Sequence, residues 1–161
     1  MKIEILGNEK EALIEVEALV QNLLSSGNIT QEQFGTILIA LSEAVTNAIV
    51  HGNKSDNSKK VWVEYSFVDH FVDFSITDQG EGHNFDVPKQ HDFFANEYSG
   101  LSLIGFLSEG VMFNDKRNSI EIRFDVMTIH SKLVNQRSNV LQSAKNQVAK
   151  SNVSINKTQH V

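Results

Sequence analysis

The chain has 161 residues, 40% of them hydrophobic, and no cysteine. That length supports one domain with a full core, and the missing cysteine excludes disulfide frameworks, thiolate zinc sites and thiol nucleophiles together. A net charge of −6, from 20 acidic and 14 basic side chains, argues against a nucleic-acid partner. No apolar run approaches the roughly 18 residues of a membrane span, and the start, MKIEILGNEKEAL, is no signal peptide. A soluble cytoplasmic protein without a membrane partner is therefore expected. The charge is uneven: Lys132, Arg137, Lys145, Lys150 and Lys157 follow Asp125 and no acid does, so an acidic body carries a basic tail.

Along the chain, Met1 to Leu6 alternates and predicts a short strand. Ala12, Leu13, Val16, Leu19, Val20, Leu23 and Leu24 then recur at helical spacing as far as Ser25-Ser26-Gly27, which predicts an amphipathic first helix. Thr30-Gln31-Glu32-Gln33 has the S/T-x-x-E/Q spacing of a capping box and opens a second helix. His51-Gly52-Asn53 is expected to end that helix with a glycine C-cap.

Within the second helix, Phe34 to Val50 contains one charged side chain, Glu43, and one carboxamide, Asn47, a turn later. At 100° per residue, Phe34, Ile37, Leu38, Leu41, Val45 and Ala48 form the core stripe, while Glu43 and Asn47 fall together on the other side beside Thr36, Ala40 and Val50. An ionised carboxylate in such apolar surroundings costs several kcal/mol unless a cation, a donor or a ligand compensates it. Either this face lines a site, or Glu43 is a buried acid bonded to a backbone amide elsewhere.

The period then changes to two. Val61 to Phe67 and Phe71 to Thr77 predict a hairpin, and Asp78-Gln79-Gly80-Glu81-Gly82 leaves its second strand at a turn. Gly82 to Ser99 is a long polar segment with the chain's one proline, Pro88, and loops of that length inside a domain are usually functional. Gly100 to Leu107 predicts a third helix, and Gly110 to Phe113 with Ser119 to Phe124 a final hairpin. Consecutive hairpins exclude a parallel βαβ sheet, so the expected fold is α/β, a two-layer sandwich with helices on one face of a mixed, mostly antiparallel sheet. Residues 1–126 form the expected domain, and 127–161 a polar, basic extension with at most a marginal helix.

Glu43-Ala44-Val45-Thr46-Asn47 on a helix, Asp78-Gln79-Gly80-Glu81-Gly82 after a strand, and a long loop closing on Ser99-Gly100 stand in an order that resembles the GHKL, or Bergerat-fold, ATPase superfamily. The pieces look like its E-x-x-x-N motif, its D-x-G-x-G motif and its ATP lid. The wording EAVTNAIVHG and the small size look most like the bacterial anti-sigma factor serine/threonine kinases, over about Met1 to Val126.

The resemblance implies an ATP site with Mg²⁺ as cofactor. Asn47 is the implied metal ligand, which suits a cation that takes hard oxygen donors. Glu43 is the implied catalytic residue, orienting or deprotonating the nucleophile that attacks the γ-phosphate. Asp78 is an acceptor-only carboxylate suited to the adenine amine, with Gly80 and Gly82 allowing close approach of a flat ring. Ser99 and Gly100 stand at a helix N-terminus where phosphate could bind, and Ser119 corresponds to the threonine that relatives place beside adenine.

The partners implied are a sigma factor and an antagonist (anti-anti-sigma) protein that is phosphorylated, together with homodimerisation. Two departures are plain: Tyr98 stands where kinase relatives have arginine, and Ser102 where they have a second glycine. They keep open a second reading, a non-catalytic nucleotide-binding module that captures a protein partner. The six histidines show no ligand spacing, so no zinc site is expected, and Phe106 stands where a Walker loop would need lysine.

Overall fold

A computed structural model describes residues 1–6, 8–82, 100–116 and 118–127. The first strand, β1 (Lys2–Leu6), leads to α1 (Glu9–Ser25), whose N-cap Asn8 accepts the Lys10 N–H. The stripe that the spacing predicted in α1 turns inward, with Ala12, Val16, Leu19, Val20 and Leu23 buried, while Ile14, off the stripe, is exposed. The second helix, α2 (Gln31–Asn47), opens on the expected capping box: Thr30 Oγ1 accepts the Gln33 N–H at 3.3 Å and Gln33 Oε1 accepts the Thr30 N–H at 2.8 Å. It runs on into a π-helical turn, Ala48–Gly52.

Together α2 and that turn span Gln31–Gly52, 22 residues, which by length and composition alone could cross a membrane, contrary to the sequence expectation. Ile37, Ala40, Leu41, Ala44 and Val45 are nevertheless buried within the domain, as in a core helix.

Strands β2 (Lys60–Val68) and β3 (Phe71–Asp78) form the first hairpin, turning at Asp69 with φ of 56°. After α3 (Gly100–Leu107), β4 (Gly110–Phe113) and β5 (Ser119–Asp125) form the second. The five strands lie in the order β1-β2-β3-β5-β4, and every described ladder is antiparallel, so the sheet is not mixed here. The second hairpin inserts its last strand beside β3, pairing Thr77 with Ser119 and Ile76 with Ile120.

Period-two alternation sorts the sheet's faces. Ile5, Val61, Val63, Val72, Phe74, Ile76, Ile120, Ile122 and Phe124 join the buried residues of α1 and α2 in one core. The other face is a polar lattice: Lys2 pairs with Glu64 at 2.8 Å, Lys60 with Glu4 at 2.6 Å, and Arg123 grips both oxygens of Asp73 at 2.6 Å. The fold is thus a two-layer α/β sandwich. These elements all fall within one compact unit, Met1–Val126. The tail from residue 128 onward lies outside the described residues.

Candidate functional site

Along β3 the inward positions run Val72, Phe74, Ile76 and then Asp78, so the strand's hydrophobic series ends on a carboxylate that is only 4% exposed. Burying that group requires partners. Its Oδ1 accepts the Gly80 N–H at 2.7 Å. The main chain is pinned as well, since the Asp78 N–H donates to the Asn118 carbonyl at 2.9 Å and Asn118 Nδ2 donates to the Asp78 carbonyl at 3.3 Å.

Gly52 is the floor beneath that carboxylate. A Cβ at position 52 would overlap the Asp78 side chain, and one at Gly80 would overlap the Gly52 carbonyl and come within 2.8 Å of Asp78 Oδ1. The predicted role of Gly52 as a C-cap is therefore corrected. Positive φ is taken up beyond it, by Lys54 at 58° and Ser55 at 56°, and the π-helical turn closes through the Asn53 N–H on the Ala48 carbonyl at 2.8 Å. Glycine stands at 52 because α2's end and β3's exit touch there, not because the backbone turns left-handed. Gly82, with φ of 91°, does use that freedom.

Glu43 and Asn47 lie one turn apart on the same face of α2, both partly buried, upstream of Gly52. The first residue of α3 abuts the first of them: a Cβ at Gly100 would overlap the Glu43 carboxylate, lying 2.6 Å from its Cδ. A carboxylate at a helix N-terminus meets the positive end of the helix dipole, which favours this arrangement. Asn47 differs, because its Nδ2 is buried with no hydrogen-bond partner. An orphaned buried amide costs about 1–3 kcal/mol, so such a side chain is held in reserve rather than used by the fold.

Glu43, Asn47, Gly52, Asp78, Gly80 and Gly100 are thereby linked through α2, the π-helical turn, the exit of β3 and the start of α3. Ser119 is not brought to this group. Its Oγ bonds Thr77 Oγ1 at 2.8 Å and Ser75 Oγ at 3.2 Å, on the sheet face opposite Asp78. In β5 it is Ile120, one residue on, that faces the helices. Ser99, Tyr98 and the rest of the expected lid, 83–99, lie outside the described residues, and Ser102 is buried in α3.

Sequence reasoning passed over two residues. In the sequence Asn53 and Gln79 stand as mere punctuation, yet Asn53 Oδ1 accepts the Gln79 N–H at 2.8 Å and so ties the helix end to the turn after Asp78. The sequence signal was only a carboxamide directly after the helix and another directly after the aspartate.

Among the described residues, no three His, Cys, Asp or Glu side chains gather into a metal cage. A cation held by Asn47 would therefore draw its remaining oxygens from water and from a bound phosphate, the habit of Mg²⁺ in nucleotide sites. The Asn47 carboxamide offers one such oxygen, Oδ1, while its orphaned Nδ2 is a donor and would take no part in holding the cation.

Residues 6–124 match the family model of the histidine kinase-like ATPase domain. The chain belongs to that family, whose ATPase domain implies ATP binding. Among curated proteins, the anti-sigma F factor of Clostridium perfringens (strain SM101 / Type A) is 38% identical over 85 residues, 51% of this chain and 58% of the relative. The anti-sigma F factor of Bacillus subtilis (strain 168) is 35% identical over 75 residues, 47% of this chain and 49% of the relative. That of Anoxybacillus flavithermus is 37% identical over 75 residues, with the same coverage. The chain spans about half the length of the curated relatives it matches.

Proposed function

We propose that this chain is an ATP-binding anti-sigma factor of the serine/threonine kinase type: it holds a sigma factor and transfers the γ-phosphoryl group of Mg-ATP to a hydroxyl of an antagonist protein. One observation carries the reading: α2 presents Glu43 against Gly100, and its π-helical end presents Gly52 against the buried Asp78 beside Gly80, contacts that only glycine permits, with Asn47 on α2 between them. The family match and the likeness to anti-sigma F factors support it.

In this reading Asp78 accepts the adenine exocyclic amine, with Gly80 leaving room for the ring. The N-terminus of α3 faces the phosphates. Asn47 would hold Mg²⁺, which when bound supplies charge neutralisation at the phosphates. Glu43 accepts the hydroxyl proton or orients the hydroxyl for in-line attack. The setting is cytoplasmic, and the assembly a homodimer without nucleic acid or membrane.

A second reading, a nucleotide-binding module that captures a protein partner without turnover, draws on the sequence of 83–99, which has Asp86, Asp92 and Glu97 with Lys89 as its single lysine or arginine, and Tyr98 in the arginine position. The test is phosphate transfer from γ-labelled Mg-ATP to the cognate antagonist. Transfer by wild type that is lost in Glu43→Ala supports the kinase, whereas no transfer above the Glu43→Ala background, with nucleotide binding intact, supports the module.

A further inference from the structure

Behind the Asp78–Gly52 contact lies a closed ring of hydrogen bonds that the proposed function does not use. Asn53 is 1% exposed although it is a carboxamide directly after a helix. Its Nδ2 donates to the Lys60 carbonyl at 3.0 Å, and its Oδ1 accepts the Gln79 N–H at 2.8 Å. Gln79 closes the ring by accepting the Lys60 N–H on Oε1 at 2.8 Å. Three segments, the end of the π-helical turn, the start of β2 seven residues on and the residue after Asp78 a further 19 on, are tied at one place.

The ring is adjacent to the candidate site on both sides. Asn53 follows Gly52, and Gln79 separates Asp78 from Gly80, whose N–H the Asp78 carboxylate accepts. A buried carboxamide with a donor and an acceptor both engaged specifies a single arrangement, because any slip leaves one end unpaired. Asn53 is enclosed with both of its ends committed to backbone, and the Gln79 oxygen is likewise committed, so the acceptors of the ring are already engaged.

We infer that Asn53 and Gln79 are positioning residues that set the Asp78 carboxylate, and with it the preference for a purine bearing an exocyclic 6-amino group over one bearing a 6-oxo group. The inference rests on the reading of Asp78 as the acceptor for the base. A carboxylate pairs with an amine and repels a carbonyl oxygen, so a small displacement of Asp78 erodes that discrimination more than it erodes binding of the shared triphosphate.

The test titrates ATP and inosine triphosphate into the full chain by calorimetry, for wild type, Asn53→Ala, Gln79→Ala and Gln79→Glu, and follows exchange of the Gly80 amide in the ligand-free proteins by NMR. Gln79 is exposed, so its variants should fold even where Asn53→Ala does not. The expected result is a fall of about tenfold in the ATP-to-inosine-triphosphate affinity ratio in both alanine variants, with faster Gly80 exchange. Gln79→Glu, which keeps an acceptor for the Lys60 N–H, should retain the wild-type ratio. An equal loss for both nucleotides, or an unchanged ratio and unchanged Gly80 exchange in Gln79→Ala, would overturn the inference and leave the ring a structural tie. A wild type that binds both nucleotides alike would instead sink the assignment of Asp78 to the base.

Discussion

The carboxylate of Asp78 rests on the α-carbon of Gly52, so the helix that carries Glu43 and Asn47 and the strand that carries Asp78 meet without a side chain between them. Gly52→Ala is therefore expected to cost about 1–3 kcal/mol, the usual penalty of overpacking, and to weaken ATP binding by pushing Asp78 aside. Gly35→Ala in α2 is the control, since a Cβ there meets nothing within 4 Å. That change should stabilise the helix by up to about 1 kcal/mol. Urea denaturation of the two variants measures the contrast.

At the other end of the site, Gly100 abuts Glu43. In Gly100→Ala the side chain that must give way is a glutamate with rotamers to spare, so the fold should survive with a loss of under about 1 kcal/mol. Phosphate transfer should fall by an order of magnitude or more as Glu43 is displaced. Thermal unfolding run beside single-turnover transfer separates the two effects; equal activity in the variant would remove Glu43 from the catalytic role.

The capping box gives a prediction on stability alone. Thr30→Ala removes the acceptor for the Gln33 N–H and should cost about 1 kcal/mol, read as a shift in the denaturation midpoint with unchanged nucleotide affinity.

These cases also mark what could be read from the amino acids. The stripes of α1 and α2, the capping box and the hairpins were legible because each depends on neighbours within a few positions. The isolation of Glu43 and Asn47 in an apolar helix and the Asp78-Gly80 turn were legible as chemistry out of place. The placement of β5 between β3 and β4 was not, since pairing across the sheet is non-local. Gly52 was misread because a helix-ending glycine and a glycine under a neighbouring carboxylate look alike in one dimension. Ser119 fell on the far face because a single step of register reverses a strand's sides, which residue type cannot report. Asn53 and Gln79 bond across 26 positions, beyond any local pattern.

On the open sheet face, the Arg123 guanidinium, through its paired hydrogen bonds, holds the Asp73 carboxyl below the usual carboxylate range. A carboxyl whose folded value is depressed contributes stability above its unfolded value of about 4 and loses it as pH falls through the folded one. Asp73→Asn should thus be less stable than wild type by about 0.5–1 kcal/mol at pH 7, with the gap closing below about pH 4. Denaturation midpoints of both proteins across pH 3 to 7 check it; a gap that widened in acid would contradict the assignment.

The central claim is that α2, the exit of β3 and the start of α3 build an ATP site on Asn47 and Asp78. Calorimetric titration of ATP with and without Mg²⁺, on wild type, Asn47→Ala and Asp78→Asn, tests it most directly. The account predicts Mg²⁺-dependent binding by wild type, loss of the Mg²⁺ dependence in Asn47→Ala, and at least tenfold weaker binding in Asp78→Asn. Folded wild type that binds no ATP, or variants that bind it as tightly as wild type, would contradict it.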